Sequence, residues 1–443
     1  MSAAPPPGSD AARRSHLIDL TPLRVSPAFA RLWGGNTLSG IGAVMTSTAV
    51  GLHIYDLTGS TFMVSLVAWF ALLPMVAAGL YGGAIADRFD RRAVALVSSV
   101  VAWGSTVTLA TVAWAQLSAV GTFYVITTVN AVAATIASAT RQAITPRLLP
   151  PELLPKAAAL SGISMGFMVT LGPAVAGLLV ARVGYAWTYT VDVLLFVAGF
   201  LGLWTLPEIR PDGDQTASGL AAVREGLVHL RAAPNVRMSF VVDIIAMTFG
   251  QPIVLFPAIG AVVIGGGSMT VGLLTASYAV GGILSSLASG RVTGFRWQGR
   301  AIRDAIVAYG LGILGLGVVL AVVVRTGGAV VSRDFADVNV AALAAASACL
   351  AVAGGADNIS AIFRTTILQA AVPDALRGRM QGVFTVVVTG GPRLGQMFAG
   401  TLATLTALWV PAVVGGILVV VLVIVVVARA RSFHDYDALD PRP

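Results

Sequence analysis

Five ionisable side chains stand inside long apolar runs of this sequence: His53, Asp192, Asp243, Asp357 and Arg393. An ionisable group surrounded by hydrocarbon costs several kcal/mol, so each is a candidate site before anything else is known of the chain. Arg393 keeps its charge at any ordinary pH. It therefore needs an anionic partner, a wet cavity or exposed backbone carbonyls. Its neighbours Gly390, Gly391, Pro392 and Gly395 predict an irregular helix that exposes carbonyls. Two readings stand for it: an anchor for an anionic ligand such as a carboxylate or catecholate, or a structural ion pair with Asp357. Asp192 and Asp243 are candidates for proton coupling, because an acid that changes protonation state near neutrality can trade its proton for a bound ligand. The competing readings are a salt-bridge network at an interface for Asp243 and local hydrogen bonds to Thr188 or Tyr189 for Asp192. His53, two residues before Tyr55, reads as interfacial. Asn36, Asn130, Gln251 and Gln396, with the aromatic Trp69, Phe70 and Trp103, are the side chains expected to line a central cavity; for the aromatics, plain packing is the alternative.

The elements that position these groups follow from composition. The chain has 443 residues, 56% hydrophobic and 11% charged, whereas soluble domains are about a quarter charged. Too few charges are present to coat a water-exposed particle of this size. A spanning helix needs about 20 mainly apolar residues to cross a hydrocarbon core about 30 Å thick. Twelve runs qualify, near 31–55, 62–85, 93–115, 118–140, 158–181, 185–206, 238–262, 269–290, 302–324, 339–363, 381–405 and 408–428. The first carries Asn36 and several glycines, and the seventh is interrupted by Gln251-Pro252 and Pro257. Such breaks are tolerated where the freed backbone faces protein or a wet cavity.

The basic residues test this count independently. With twelve spans and both termini inside, every Lys and Arg falls on the cytoplasmic side except Arg182, Arg325, Arg333 and the intramembrane Arg393. Short cytoplasmic loops are enriched in Lys and Arg. The expected organisation is a cytoplasmic tail at 1–25, a six-helix bundle at 26–206, a cytoplasmic linker at 207–237, a second bundle at 238–430 and a cytoplasmic tail at 431–443. Within the linker, Leu220, Val223, Leu227 and Leu230 share one helical face beside Arg224, Glu225 and Arg231, the pattern of an amphipathic helix on a membrane surface. The net charge of +8 is dispersed in short clusters between apolar runs, which fits anionic lipid and not a nucleic-acid-binding face. Four His and the single Cys349 argue against a structural zinc site. Met1 to Asp10 is polar and no apolar segment follows Arg13-Arg14, so no cleavable signal is expected. The sequence has no phosphate-binding Gly-x-x-x-x-Gly-Lys-Ser/Thr motif and no clustered nucleophile and base, so neither ATP hydrolysis nor enzymatic chemistry is expected. No cofactor is expected. The partners expected are a small-molecule ligand, protons and the lipid bilayer, with the chain acting as a monomer.

After the second span the sequence reads Gly82-Gly83-Ala84-Ile85-Ala86-Asp87-Arg88-Phe89-Asp90-Arg91-Arg92. This resembles the signature between the second and third helices of the major facilitator superfamily, with Asp90 where the signature usually has Gly. Gly172-Pro173-Ala174-Val175-Ala176-Gly177 in the fifth span is similar to the glycine-proline motif of that superfamily's exporters, with Ala176 in place of a second Gly. Tyr55-Asp56-Leu57-Thr58-Gly59-Ser60, Thr145-Pro146-Arg147-Leu148-Leu149, and Asp357-Asn358-Ile359-Ser360 with Arg364, Gln369 and Pro373-Asp374-Ala375-Leu376-Arg377-Gly378-Arg379 resemble the branch of the enterobactin (siderophore) exporters and related bacterial multidrug efflux proteins. The resemblance implies two pseudo-symmetric six-helix bundles rocking about a central site. It implies export of a siderophore-like or drug-like compound from the cytoplasm across the inner membrane, driven by proton antiport. It also implies a gating role for Gly83, Asp87, Arg88, Arg91, Arg92, Asp357, Arg364 and Arg377. An uptake carrier of the same fold and a non-transporting membrane sensor are the alternatives.

Overall fold

The structure is a computed structural model that describes residues 19–209, 220–287, 295–372 and 374–440. The first eighteen residues, the linker stretch 210–219 and Gly290-Arg291 lie outside the described residues. Helices dominate, as lipid requires: a helix pairs its own backbone donors and acceptors where no water is available. The first half comprises α1 (Thr21–Val25), α2 (Pro27–Thr58), α3 (Thr61–Arg88), α4 (Arg91–Trp114), α5 (Val120–Leu148) and α6 (Leu154–Trp204). The short α7 (Leu220–Ala232) follows. The second half comprises α8 (Pro234–Phe249), α9 (Phe256–Val262), α10 (Gly267–Leu287), α11 (Gln298–Arg325), α12 (Val340–Ala371), α13 (Asp374–Leu405), α14 (Val410–Arg429) and α15 (Arg431–His434).

Ten segments among the described residues are long and apolar enough to cross a membrane. The 54-residue segment Pro151–Trp204 is long enough for two passes, and its helix is broken at Gly184 (φ 79°, ψ −179°). Only glycine occupies that region without strain. The 32-residue α13 supplies one more pass, so the arrangement is consistent with twelve crossings. The seventh crossing is discontinuous, as Gln251-Pro252 led one to expect. α8 ends at Phe249, a 3-10 turn covers Ile253–Leu255, and α9 completes the pass. The freed Gly250 carbonyl accepts a hydrogen bond from the Tyr309 hydroxyl. Large apolar side chains such as Leu73, Leu201 and Leu287 are strongly exposed, the surface of a chain solvated by lipid.

Caps sit where the sequence places polar residues. Ser26, Ser60, Asp90 and Asn339 each accept from a backbone N–H in the first turn of the following helix. Several helices run past their expected limits. α5 ends at Leu148 instead of about 140, and α12 at Ala371 instead of about 363. Arg141 and Arg364, expected among the loop charges, therefore lie inside helices.

The described residues nearest each end are packed on the bundle. Thr21–Val25 is helical, and Asp19 pairs with Lys156 at 2.8 Å. That hydrogen bond holds the Asp19 carboxyl well below the usual range. The C-terminal residues fold back as a clasp on the segment before α11: Phe433 and Tyr436 are buried, Arg296 pairs with Asp437 and Arg300 with Asp435, both at 2.6 Å. The arginine hydrogen bonds lower the pKa of both carboxyls. On α7, Leu230 is buried while Leu227, Arg224 and Glu225 are exposed, so the helix presents a mixed face outward.

Within the first half α2 packs along α6, and α5 against α3 and α4; within the second half α12 packs on α10 and α11, and α13 on α8. The halves meet along two helix pairs, α6 with α10 and α3 with α13. In the first pair the backbones nearly touch. A Cβ on Gly177 would lie 2.4 Å from the Ser268 carbonyl oxygen, and one on Gly272 2.8 Å from that of Pro173. The glycine-proline motif thus forms this seam, while Gly172 abuts Val44 of α2. Gly177→Leu is expected to cost about 1–3 kcal/mol through overpacking, read as a lower melting temperature in detergent; an unchanged melting temperature would count against so tight a seam.

Candidate functional site

A cavity of about 560 Å3 opens between the halves. α2, α3, α4, α5 and α6 form most of its wall, and α13 contributes Thr389 and Arg393. Three charged side chains line it: Asp192, Arg393 and Arg141. Asn130 lines it too, with its amide donating to the Ala102 carbonyl at 3.0 Å.

Asp192, on α6, is 1% exposed. The Thr46 hydroxyl donates to Oδ2 at 2.6 Å, and Oδ1 has no hydrogen-bond partner. The expected local partners are engaged elsewhere: Thr188 donates to the Gly184 carbonyl, and Tyr189 faces His53. Gly42 makes room for the carboxyl, since a Cβ there would lie 2.1 Å from Oδ1. No cation pairs with Asp192 among the described residues, so it can bind or release a proton without breaking an ion pair.

Arg393 sits 19 residues into α13, with Nη2 4.0 Å from the Met75 sulfur across the half-to-half boundary. It makes no ion pair with Asp357, against the structural reading of the sequence. The reason lies in α12: Asp357 sits 14 residues before the end of the extended helix and faces Arg364, 3.7 Å away, and the Tyr278 hydroxyl, which donates at 2.9 Å. Arg364 also pairs with Asp243 of α8. Asp243, Arg364 and Asp357 form one network inside the second half, with Asp243 buried and Asp357 half-buried, and none of the three lines the cavity. A seven-residue spacing puts Asp357 and Arg364 on one helix face, a signal present in the sequence.

Arg141 is the residue that sequence reasoning missed. Its Nη1 donates to Asn36 Oδ1 at 2.7 Å and its Nη2 to Ser99 Oγ at 2.9 Å, while its Nε is buried without a partner. Asn36 thus reaches the site through Arg141 and is not itself in the cavity wall. Gln251, Gln396, Trp69, Phe70 and Trp103 are also absent from that wall. Gln251 lies in the α8–α9 break within 3.3 Å of the Met247 sulfur, Trp69 and Phe70 are exposed, and Trp103 donates to the Val193 carbonyl.

Of the loop motif, Arg91 donates to the Ala143 carbonyl and Arg92 to the Trp204 carbonyl, tying α4 to α5 and α6, and Arg88 lies over the Phe89 ring. The side-chain surroundings of Gly83, Asp87 and Arg377 lie outside the described residues.

On the face opposite the termini, charge ties the halves together. Arg333 pairs with Asp56 at 3.0 Å, Tyr185 donates to the same carboxylate at 2.5 Å, and His53 stacks on Tyr185 with ring centroids 4.0 Å apart. Thr61 adds hydrogen bonds to Gly400 and Thr404, and Ser268 donates to the Gly177 carbonyl. The Asp56–Arg333 pair is water-exposed and therefore worth roughly 0–1 kcal/mol. Arg333→Ala is expected to raise labelling of a cysteine placed at Val50, deep in the cavity, by up to about fivefold from that face. Unchanged labelling would remove the latch.

The fold is that of the major facilitator superfamily. The chain superposes on an autoinhibited POT family peptide transporter with a TM-score of 0.71 at 11% identity, covering 94% of this chain and 99% of that one. It superposes on a bacterial homologue of the iron transporter ferroportin in an inward-facing state with a TM-score of 0.64 at 14% identity, covering 91% and 99%. It belongs to the transmembrane secretion effector family, whose description matches residues 18–442. Curated relatives include the enterobactin exporter EntS of Salmonella choleraesuis, 24% identical over 93% of this chain and 94% of that one, and EntS of Salmonella typhi, 24% identical over 93% and 94%. The chain is a multi-pass membrane protein of a transporter family.

Proposed function

We propose that this chain is a secondary active exporter of the cytoplasmic membrane, with both termini in the cytoplasm, that carries a siderophore-like or drug-like small molecule outward in exchange for protons. The supporting observation is a cavity walled by both halves in which Asp192 has no counter-cation among the described residues. A carboxylate that accepts a hydrogen bond from cargo cannot hold a proton at that oxygen as well, so the two ligands alternate. On this reading the polar ties on one face close the cavity there, and rocking about the α6–α10 and α3–α13 seams carries access from one side of the membrane to the other. The enterobactin exporters among its relatives favour outward transport. Uptake is the second reading, since a D-xylose-proton symporter shares the fold with a TM-score of 0.67. Inverted membrane vesicles separate them. Respiring vesicles holding the protein are expected to accumulate enterobactin or ethidium, and to lose both when the proton gradient is collapsed. Accumulation that survives collapse removes antiport, and accumulation only in right-side-out vesicles makes the chain an uptake carrier.

A further inference from the structure

The two halves repeat one contact with one difference. Pro27 opens α2 with Asn36 nine residues on; Pro234 opens α8 with Asp243 nine residues on. Arg141 and Arg364 match in the same way, each followed by Pro at the ninth position and Leu at the twelfth. In space the pairing is also repeated: Arg141 binds Asn36, and Arg364 binds Asp243. The second half thus surrounds its arginine with two carboxylates, Asp243 and Asp357. The first half offers an amide and a hydroxyl, which orient the guanidinium without neutralising it. Among the described residues no carboxylate pairs with Arg141, and its buried Nε has no acceptor. Arg393 enters the same cavity from the other half, also without a carboxylate. Uncompensated charge at membrane depth is costly and calls for an anion. A guanidinium binds a carboxylate or catecholate through paired, charge-assisted hydrogen bonds.

We propose that Arg141 and Arg393 form a two-arginine anchor for the acidic group of an organic anion, one arginine supplied by each half. The proposal rests on the cavity being the transport site and adds the cargo's charge class. Asn36 orients the guanidinium and leaves its charge uncompensated. Asn36 and Gly42, which adjoin Arg141 and Asp192, are six residues apart on α2, about 9 Å at 1.5 Å per residue. The acidic group and the proton therefore occupy separate levels, and a hydroxyl of the cargo can reach Asp192.

The test gives the first half the ion pair of the second. Purified full-length protein and its Asn36→Asp variant are titrated with citrate and 2,3-dihydroxybenzoate as anions and ethidium as a cation, with binding read by calorimetry and folding by melting temperature. Asn36→Asp is expected to retain the melting temperature, weaken anion binding at least about tenfold and tighten ethidium binding. Arg393→Gln is expected to weaken the anions to a similar extent. The anchor is overturned if wild-type protein binds neither anion, or if folded Asn36→Asp protein binds them within twofold of wild type. Anion binding without accumulation in energised vesicles leaves the anchor standing and sinks the export reading instead.

Discussion

Asp192→Asn is expected to reduce gradient-driven accumulation in inverted vesicles by about a hundredfold or more, while counterflow of labelled against unlabelled cargo continues. Asn has nearly the same shape as Asp, so the space left by Gly42 and the hydrogen bond from Thr46 are retained. What is lost is the carboxyl proposed to take up and release a proton. Counterflow needs only the loaded cavity to change sides, whereas uphill movement needs the proton to return. The contrast between the two assays isolates coupling from folding and from cargo recognition. Accumulation at the wild-type rate in Asp192→Asn would move proton exchange to another acid, and Asp243 would be the next to test.

Arg364→Leu is expected to be the most damaging single change to stability, at about 3–5 kcal/mol. It leaves Asp243 and Asp357, both inside the second half, without their shared cation. Protein yield and melting temperature should both fall. Adding Asp243→Asn should recover part of the loss, because the acid most intimate with Arg364 then needs no counter-charge. Arg393→Leu provides the control. It orphans no carboxylate among the described residues and is expected to leave the melting temperature close to wild type or higher. Equal damage from the two arginine substitutions would show that Arg364 is not held by its acids.

Much of this was readable in the residues. The apolar runs specify the helix order, and the interrupted seventh crossing follows from Gln251-Pro252. Asp192 and Arg393 stand out because nothing apolar explains them, and both face the cavity. Arg141 escaped notice for a physical reason. Polarity begins at Arg141-Gln142, so an apolar window ends the fourth span there, yet α5 continues to Leu148, with Asn36 and Ser99 supplying polar partners for Arg141. The same error displaced Arg364 and put Asp357 nearer the end of its helix than the extended α12 places it. Trp69, Phe70 and Trp103 were misplaced because spans with lipid on one side and protein on the other are apolar all round and carry little facing signal. The matched spacings from Pro27 to Asn36 and from Pro234 to Asp243 held the missing information, which becomes legible only when the halves are compared.

The near contact of α6 with α10 bears on how fast the molecule can work. Interlocked side chains must climb over one another when two surfaces turn, and each such step adds to the barrier. At Gly177 and Gly272 there is nothing to climb over: main chain lies against main chain. Such a surface behaves as a smooth bearing. In the proposed transport cycle the barrier to turning is then dominated by the few polar bonds at one rim, so the turnover time would be written in side chains that touch neither cargo nor proton.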